Sequence, residues 1–81
     1  MQIGIRYCAM CGYTAQAISL SDRLLSTYLR KISGLTLTPD SGGCFEVTAD
    51  GDLLHSKLAT DDFPDEQAVV DAVGARLPAK R

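Results

Sequence analysis

The sequence predicts a two-layer α/β fold in the order β-α-β-β-β-α, a four-stranded mixed sheet carrying both helices on one face. Three observations predict it. Segments near both ends of the first half alternate apolar and polar residues with a period of two, the stretch between them repeats at three and four residues, and an Asp50-Gly51 pair separates two further alternating segments. The chain has 81 residues, room for a single domain over 1–81 with a compact core.

In Gln2 to Tyr7, Ile3, Ile5 and Tyr7 fall on one side and Gln2, Gly4 and Arg6 on the other, a half-buried strand. From Thr14 to Ile32, the residues Ala17, Ile18, Leu24, Leu25, Tyr28, Leu29 and Ile32 form the apolar stripe of a helix that stops before Gly34. Leu35 to Thr38 alternates again, and Pro39 to Gly43 is turn chemistry, a flexible loop. Cys44 to Thr48 and Asp52 to Leu58 flank the Asp-Gly turn of a hairpin. After an acidic loop over residues 59–63, Pro64 and Asp65 start a helix with Ala68, Val69, Ala72, Val73 and Leu77 on one face and Pro78 at its close.

The first two strands, joined by a helical crossover, are parallel. The core face of the sheet then carries Ile3, Ile5, Leu35, Leu37, Phe45, Val47, Leu54 and Leu58. The opposite face carries Arg6, Glu46, Thr48, His55 and Lys57, open to solvent, to a protein partner or to a second copy, so that monomer and homodimer both fit.

Hydrophobic residues at 46% and charged residues at 22% exclude disordered and low-complexity classes. No apolar run approaches the roughly 20 residues of a membrane span, and the start lacks the basic-then-apolar pattern of an export signal, so a cytoplasmic protein without membrane association is expected. The net charge of −2 speaks against nucleic acid as a partner. Arg6, Arg23, Arg30 and Lys31 against Asp22 give residues 1–31 a net +3, and four basic against nine acidic residues give 32–81 a net −5.

Three cysteines do not close into a set of disulfides, and two of them stand at C-x-x-C spacing in Tyr7-Cys8-Ala9-Met10-Cys11-Gly12-Tyr13, between the first strand and the first helix. That spacing lets the sulfurs reach bonding distance, and a helix start lowers a cysteine pKa through its free N–H groups and dipole. A reactive dithiol at Cys8 and Cys11 is the leading reading. Its alternatives are buried structural cysteines and a metal site built from Cys8, Cys11, Cys44 and His55, whose ligands lack the paired-knuckle spacing of structural zinc. Cys44 opens the third strand beside the pair if that strand returns antiparallel to the first. It then either resolves a mixed disulfide or fills space as a small apolar residue, with Phe45 turned in and Cys44 out. Met10 and Tyr13 either shape a docking surface or simply pack. His55 reads as a strand residue on the polar face, and the acidic run from Asp61 to Glu66 as favourable charge at a helix start.

The segments YCAMCGY, GGCFEV, DGDLLHSKL and FPDEQAVVDAV, in this order and spacing, resemble the selenoprotein W/T/H family, the Rdx proteins, in the form with cysteine in place of selenocysteine. The resemblance spans about Ile3 to Leu77. It implies a thioredoxin-like fold and thiol-based redox activity with no bound cofactor, glutathione or partner-protein thiols serving as co-substrate. By position Cys8 corresponds to the family's first cysteine and Cys11 to the selenocysteine, which implies Cys11 as the peroxide- or thiol-reacting residue and Cys8 as the resolver. Gly42-Gly43-Cys44 stands where thioredoxins carry a cis-proline, and Cys44 where relatives carry an apolar residue. Two functions compete on this basis: a thiol-disulfide oxidoreductase, and a redox-controlled binding module without turnover.

Overall fold

The computed structural model describes residues 1–77. Four strands form one sheet in the order β2-β1-β3-β4, where β1 is Gln2–Cys8, β2 Gly34–Asp40, β3 Phe45–Ala49 and β4 Asp52–Ser56. β1 pairs parallel with β2 and antiparallel with β3, and β3 antiparallel with β4. Helix α1 (Thr14–Tyr28) crosses over between the two parallel strands, and α3 (Glu66–Arg76) lies beside it on the same sheet face. A short helix, α2 (Lys57–Thr60), was not expected from the alternation.

Alternation in β1 and β3 holds as read, with Ile3, Ile5, Tyr7, Phe45, Val47 and Ala49 buried in one core. Leu35, Leu37 and Leu54 are only half-buried against it. The α1 stripe differs from the expected one. Ala17, Leu20, Ser21 and Leu24 face the core, while Ile18, Leu25 and Leu29 are exposed. Ser21 is accommodated by its hydroxyl donating to the Ala17 carbonyl at 2.7 Å.

The helix also ends four residues early, because Leu29 takes φ 51° and a 3₁₀ turn over Leu29–Lys31 delivers Ile32 to the core. Strand β2 runs through Pro39 to Asp40 and β3 begins at Phe45 rather than at Cys44, so the loop expected over 39–43 lies over residues 41–44. Proline is tolerated there because β2 is an edge strand.

The hairpin turn at Asp50-Gly51 is present, both residues having positive φ as a type I′ turn requires. Beyond it the expectations fail through a β-bulge. Val47 faces His55 and Thr48 faces Leu53, so Leu54 is the extra residue. The slip turns His55 to the helix side and leaves Leu53 exposed on the open face. β4 then stops at Ser56, so Leu58, expected in the core, is 64% exposed on α2, and Lys57 belongs to that helix rather than to the sheet. In α3 the buried side chains are Val69, Val70 and Val73. Ala68 is exposed and Ala72 half-buried. Pro78 lies outside the described residues.

Candidate functional site

Cys8 closes β1 and is held on one side by the residue preceding β3 and on the other, through the next amide, by the end of β2. Its N–H donates to the Cys44 carbonyl at 2.8 Å, and the next amide, Ala9, donates to the Asp40 carbonyl at 2.9 Å. The loop that follows is closed on itself: Gly12 N–H bonds the Ala9 carbonyl at 3.1 Å and Tyr13 N–H the Cys8 carbonyl at 3.3 Å. This loop turns Cys11 back onto Cys8, with Cα atoms 5.2 Å apart and the sulfurs joined at 2.13 Å.

The two sulfurs have unlike surroundings. Cys8 is 1% exposed, whereas Cys11 is exposed and next to Met10, which is 90% exposed. Cys11 N–H also donates to Cys8 Sγ at 3.2 Å. The amide that meets sulfur is therefore the loop's own, not one of the helix-start amides anticipated from the sequence. α1 begins at Thr14, three residues past Cys11, with no side-chain cap at Tyr13.

Tyr13 turns its ring onto Phe63, centroids 4.6 Å apart and edge to face, and Phe63 meets Phe45 the same way at 5.3 Å. Lys57 Nζ lies 5.4 Å from the centroids of both Tyr13 and Phe63. Phe63 and Lys57 thus back the cysteine loop, and the sequence reading missed both. The one signal was Phe63 as a lone aromatic inside an acidic run, which alternation could not place.

Cys44 is the free cysteine, and it is buried at 3% exposure rather than turned out. His55 is not drawn toward the cysteines: its Nε2 meets the Asp62 carbonyl at 2.8 Å. Among the described residues no three His, Cys, Asp or Glu side chains converge as metal ligands would, so the four candidate ligands are not gathered into one site.

On the open sheet face Gly4, Arg6, Thr38, Glu46, Thr48 and Leu53 line a shallow hollow of about 370 Å³, with Arg6 paired to Asp40 at 3.5 Å. The Glu46 carboxylate accepts from the Ser56 hydroxyl, from Phe45 N–H at 3.2 Å and from Leu58 N–H at 3.4 Å. Burial pushes its pKa up, but the bonds from Ser56 and from the Leu58, Phe45 and Lys57 amides outweigh this and hold it below the usual 4.5.

Residues 2–75 match the model of the family described as Rdx. The chain belongs to the Rdx family. A selenoprotein W-related protein from Vibrio cholerae superposes with a TM-score of 0.87 at 31% identity, over 91% of this chain and 92% of that one. A Bordetella parapertussis structure gives 0.89 at 28% identity, over 94% and 96%. The fold is the thioredoxin-like one of these Rdx-type structures. Migration and invasion enhancer 1 from Bos taurus and its Mus musculus counterpart are each 29% identical over 75 residues. Those matches cover 90% of this chain, which spans 62% of the length of these curated relatives. A Cys8–Cys11 pair at disulfide distance in an Rdx-family fold marks a redox-related protein. Among the described residues no helix is long and apolar enough to cross a membrane.

Proposed function

We propose that the chain is a thiol-disulfide redox protein in which Cys11 attacks and Cys8 resolves. The observation that carries this reading is the contrast at the pair: an exposed sulfur within bonding distance of a buried one that already accepts an N–H. The Cys11 thiolate attacks a sulfur of a partner disulfide or glutathione adduct, and the partner's other sulfur leaves as a thiolate and takes up a proton. Cys8, whose Sγ accepts from the Cys11 N–H, then attacks Cys11 Sγ. The second partner thiolate leaves, the partner is reduced, and the Cys8–Cys11 disulfide forms. With a peroxide, Cys11 becomes a sulfenic acid and Cys8 displaces water from it. A thiol donor of the glutathione class returns the dithiol. A reducing compartment such as the cytoplasm suits this cycle.

The test is trapping. Cys8→Ser, incubated with glutathione disulfide, is expected to accumulate a stable adduct on Cys11, and the wild-type chain only the internal disulfide, both read by intact mass. An adduct absent from Cys8→Ser, or found on Cys44, overturns the assignment.

A second reading, a redox-controlled binding module, is favoured by Met10 standing exposed between the two cysteines, with Leu58 and Phe63 exposed as well. Binding of a partner protein that differs between the reduced and oxidised forms without loss of thiol equivalents would support it over turnover.

A further inference from the structure

We propose that Cys44 is a second internal partner for Cys8, able to take the disulfide over by thiol exchange and return Cys11 to the surface as a free thiol. The antiparallel ladder between β1 and β3 ends at Tyr7 facing Phe45, so the next rung sets Cys8 opposite Cys44. The Cys8 N–H bond to the Cys44 carbonyl, at 2.8 Å, holds that rung together. In a hydrogen-bonded rung such as this one the Cβ atoms of directly opposed residues stand near the wide end of about 4.5–5.5 Å, and a disulfide needs about 3.5–4.5 Å, so an approach of roughly 1–2 Å is required. The chain can supply it. Gly42 and Gly43, immediately before Cys44, have φ of 81° and 76° with open space on their side-chain side, and Cys44 itself lies just outside β3, tied to β1 through its carbonyl.

Burial makes the exchange specific. Cys8 is 1% exposed and Cys44 3%, so external thiols meet the Cys11 end of the disulfide, and the strand register sets Cys44 opposite the Cys8 end. In the exchange the Cys44 thiolate attacks Cys8 Sγ, a Cys44–Cys8 bond forms, and the Cys8–Cys11 bond breaks with its electron pair leaving on Cys11 Sγ. Cys44 gives its proton to solvent and Cys11 takes one up. Nothing is oxidised or reduced overall: one disulfide and one thiol become another disulfide and another thiol. The oxidised protein then holds its oxidising equivalent inside and presents a reactive thiol outside, which a plain C-x-x-C pair cannot do.

The proposal rests on the Cys8–Cys11 dithiol reading, and the experiment separates the two. Fully oxidised wild-type protein is treated with N-ethylmaleimide under native conditions, quenched in acid and mapped by mass spectrometry without reduction. The expected product carries one maleimide on Cys11 and a Cys8–Cys44 linked peptide within a single chain. Cys44→Val, oxidised in the same way, is expected to hold Cys8–Cys11 and take no label. A maleimide on Cys44 with Cys8–Cys11 retained, no label at all, or a Cys8–Cys44 link only between two chains overturns the exchange. Failure of Cys44→Val to form Cys8–Cys11 overturns the underlying dithiol reading instead. Because Cys44 is buried, Cys11→Ser provides a second route that leaves the interior untouched. Diamide is expected to convert it to a monomeric Cys8–Cys44 disulfide, and two thiols surviving that treatment overturn the proposal.

Discussion

Cys8 and Cys11 were legible as a pair from spacing alone, but their inequality was not. A period-of-two strand turns Cys8 away from Tyr7 and predicts nothing about what covers it, and burial of Cys8 and Cys44 comes from the end of the sheet. Leu29 shows the same limit. Its place on the stripe of α1 is real in the sequence, yet the chain needs φ 51° there to release Ile32 into the core, and the leucine is left 68% exposed. A side chain in that backbone region costs about 1–3 kcal/mol, partly offset by the greater unfolded-chain entropy of glycine, and little packing is lost at an exposed site. Leu29→Gly is therefore expected to stabilise the protein by roughly 1 kcal/mol in urea unfolding. A destabilised variant would show that Leu29 contributes contacts its exposure does not suggest.

At the scale of elements, β1, β3 and the turn between β3 and β4 followed the alternation because both sides of each pair obey it. β4 and α2 did not, because a bulge at Leu54 reverses the alternation and the helix that replaces the strand end is held by a local cap and by a carboxylate from β3, neither of which alternation registers. Ser56 caps α2 by accepting from Ala59 N–H at 3.2 Å, and Glu46, ten residues earlier, receives the amide of Leu58.

Because the folded-state pKa of Glu46 is lowered, the unfolded chain binds the extra proton. Its stabilising contribution is complete above about pH 4.5 and is lost as pH falls through the folded value. Glu46→Gln should thus narrow the stability gap between pH 7 and pH 3 in denaturant titrations. An unchanged gap would mean that the carboxylate charge plays no part in anchoring α2.

Helix α3 offers a second test. Gly74 would ordinarily gain about 1 kcal/mol on replacement by alanine in a helix. Here a Cβ would run into the Tyr28 hydroxyl and sit 3.2 Å from its Cζ, while that hydroxyl donates to the Val70 carbonyl. Gly74→Ala is expected to lower the melting temperature in the wild-type background and to raise it in Tyr28→Leu. The same sign in both backgrounds would remove the tyrosine as the cause.

For the molecule as a whole, the layered arrangement was predictable because element order and the parallel crossover leave few ways to cover one sheet face. The site's aromatic backing was not, since it brings together Tyr13, Phe45, Lys57 and Phe63 from four separate segments. The core around Phe45, Ile3, Ile5, Leu20, Leu24, Val47 and Val73 is built from the sheet and helices, and Cys11 is exposed outside it. Closing a loop as short as Cys8 to Cys11 removes little unfolded-state entropy, about 2 kcal/mol. Reduction should therefore lower stability by no more than that and leave the far-ultraviolet circular dichroism unchanged. A cooperative loss of structure on adding reductant would mean that the bond is structural.

The tethering of the site to β1 has a further consequence. β1 is an interior strand, bonded along both edges, and local openings of a protein begin at its margins. Fluctuations that detach β2 at one margin, or β4 with α2 at the other, still leave one neighbour holding β1. Amide exchange from Ile3 to Tyr7, where β1 is paired on both sides, should accordingly be among the slowest in the molecule, so that the strand presenting Cys8 stays in place through conditions that loosen the periphery.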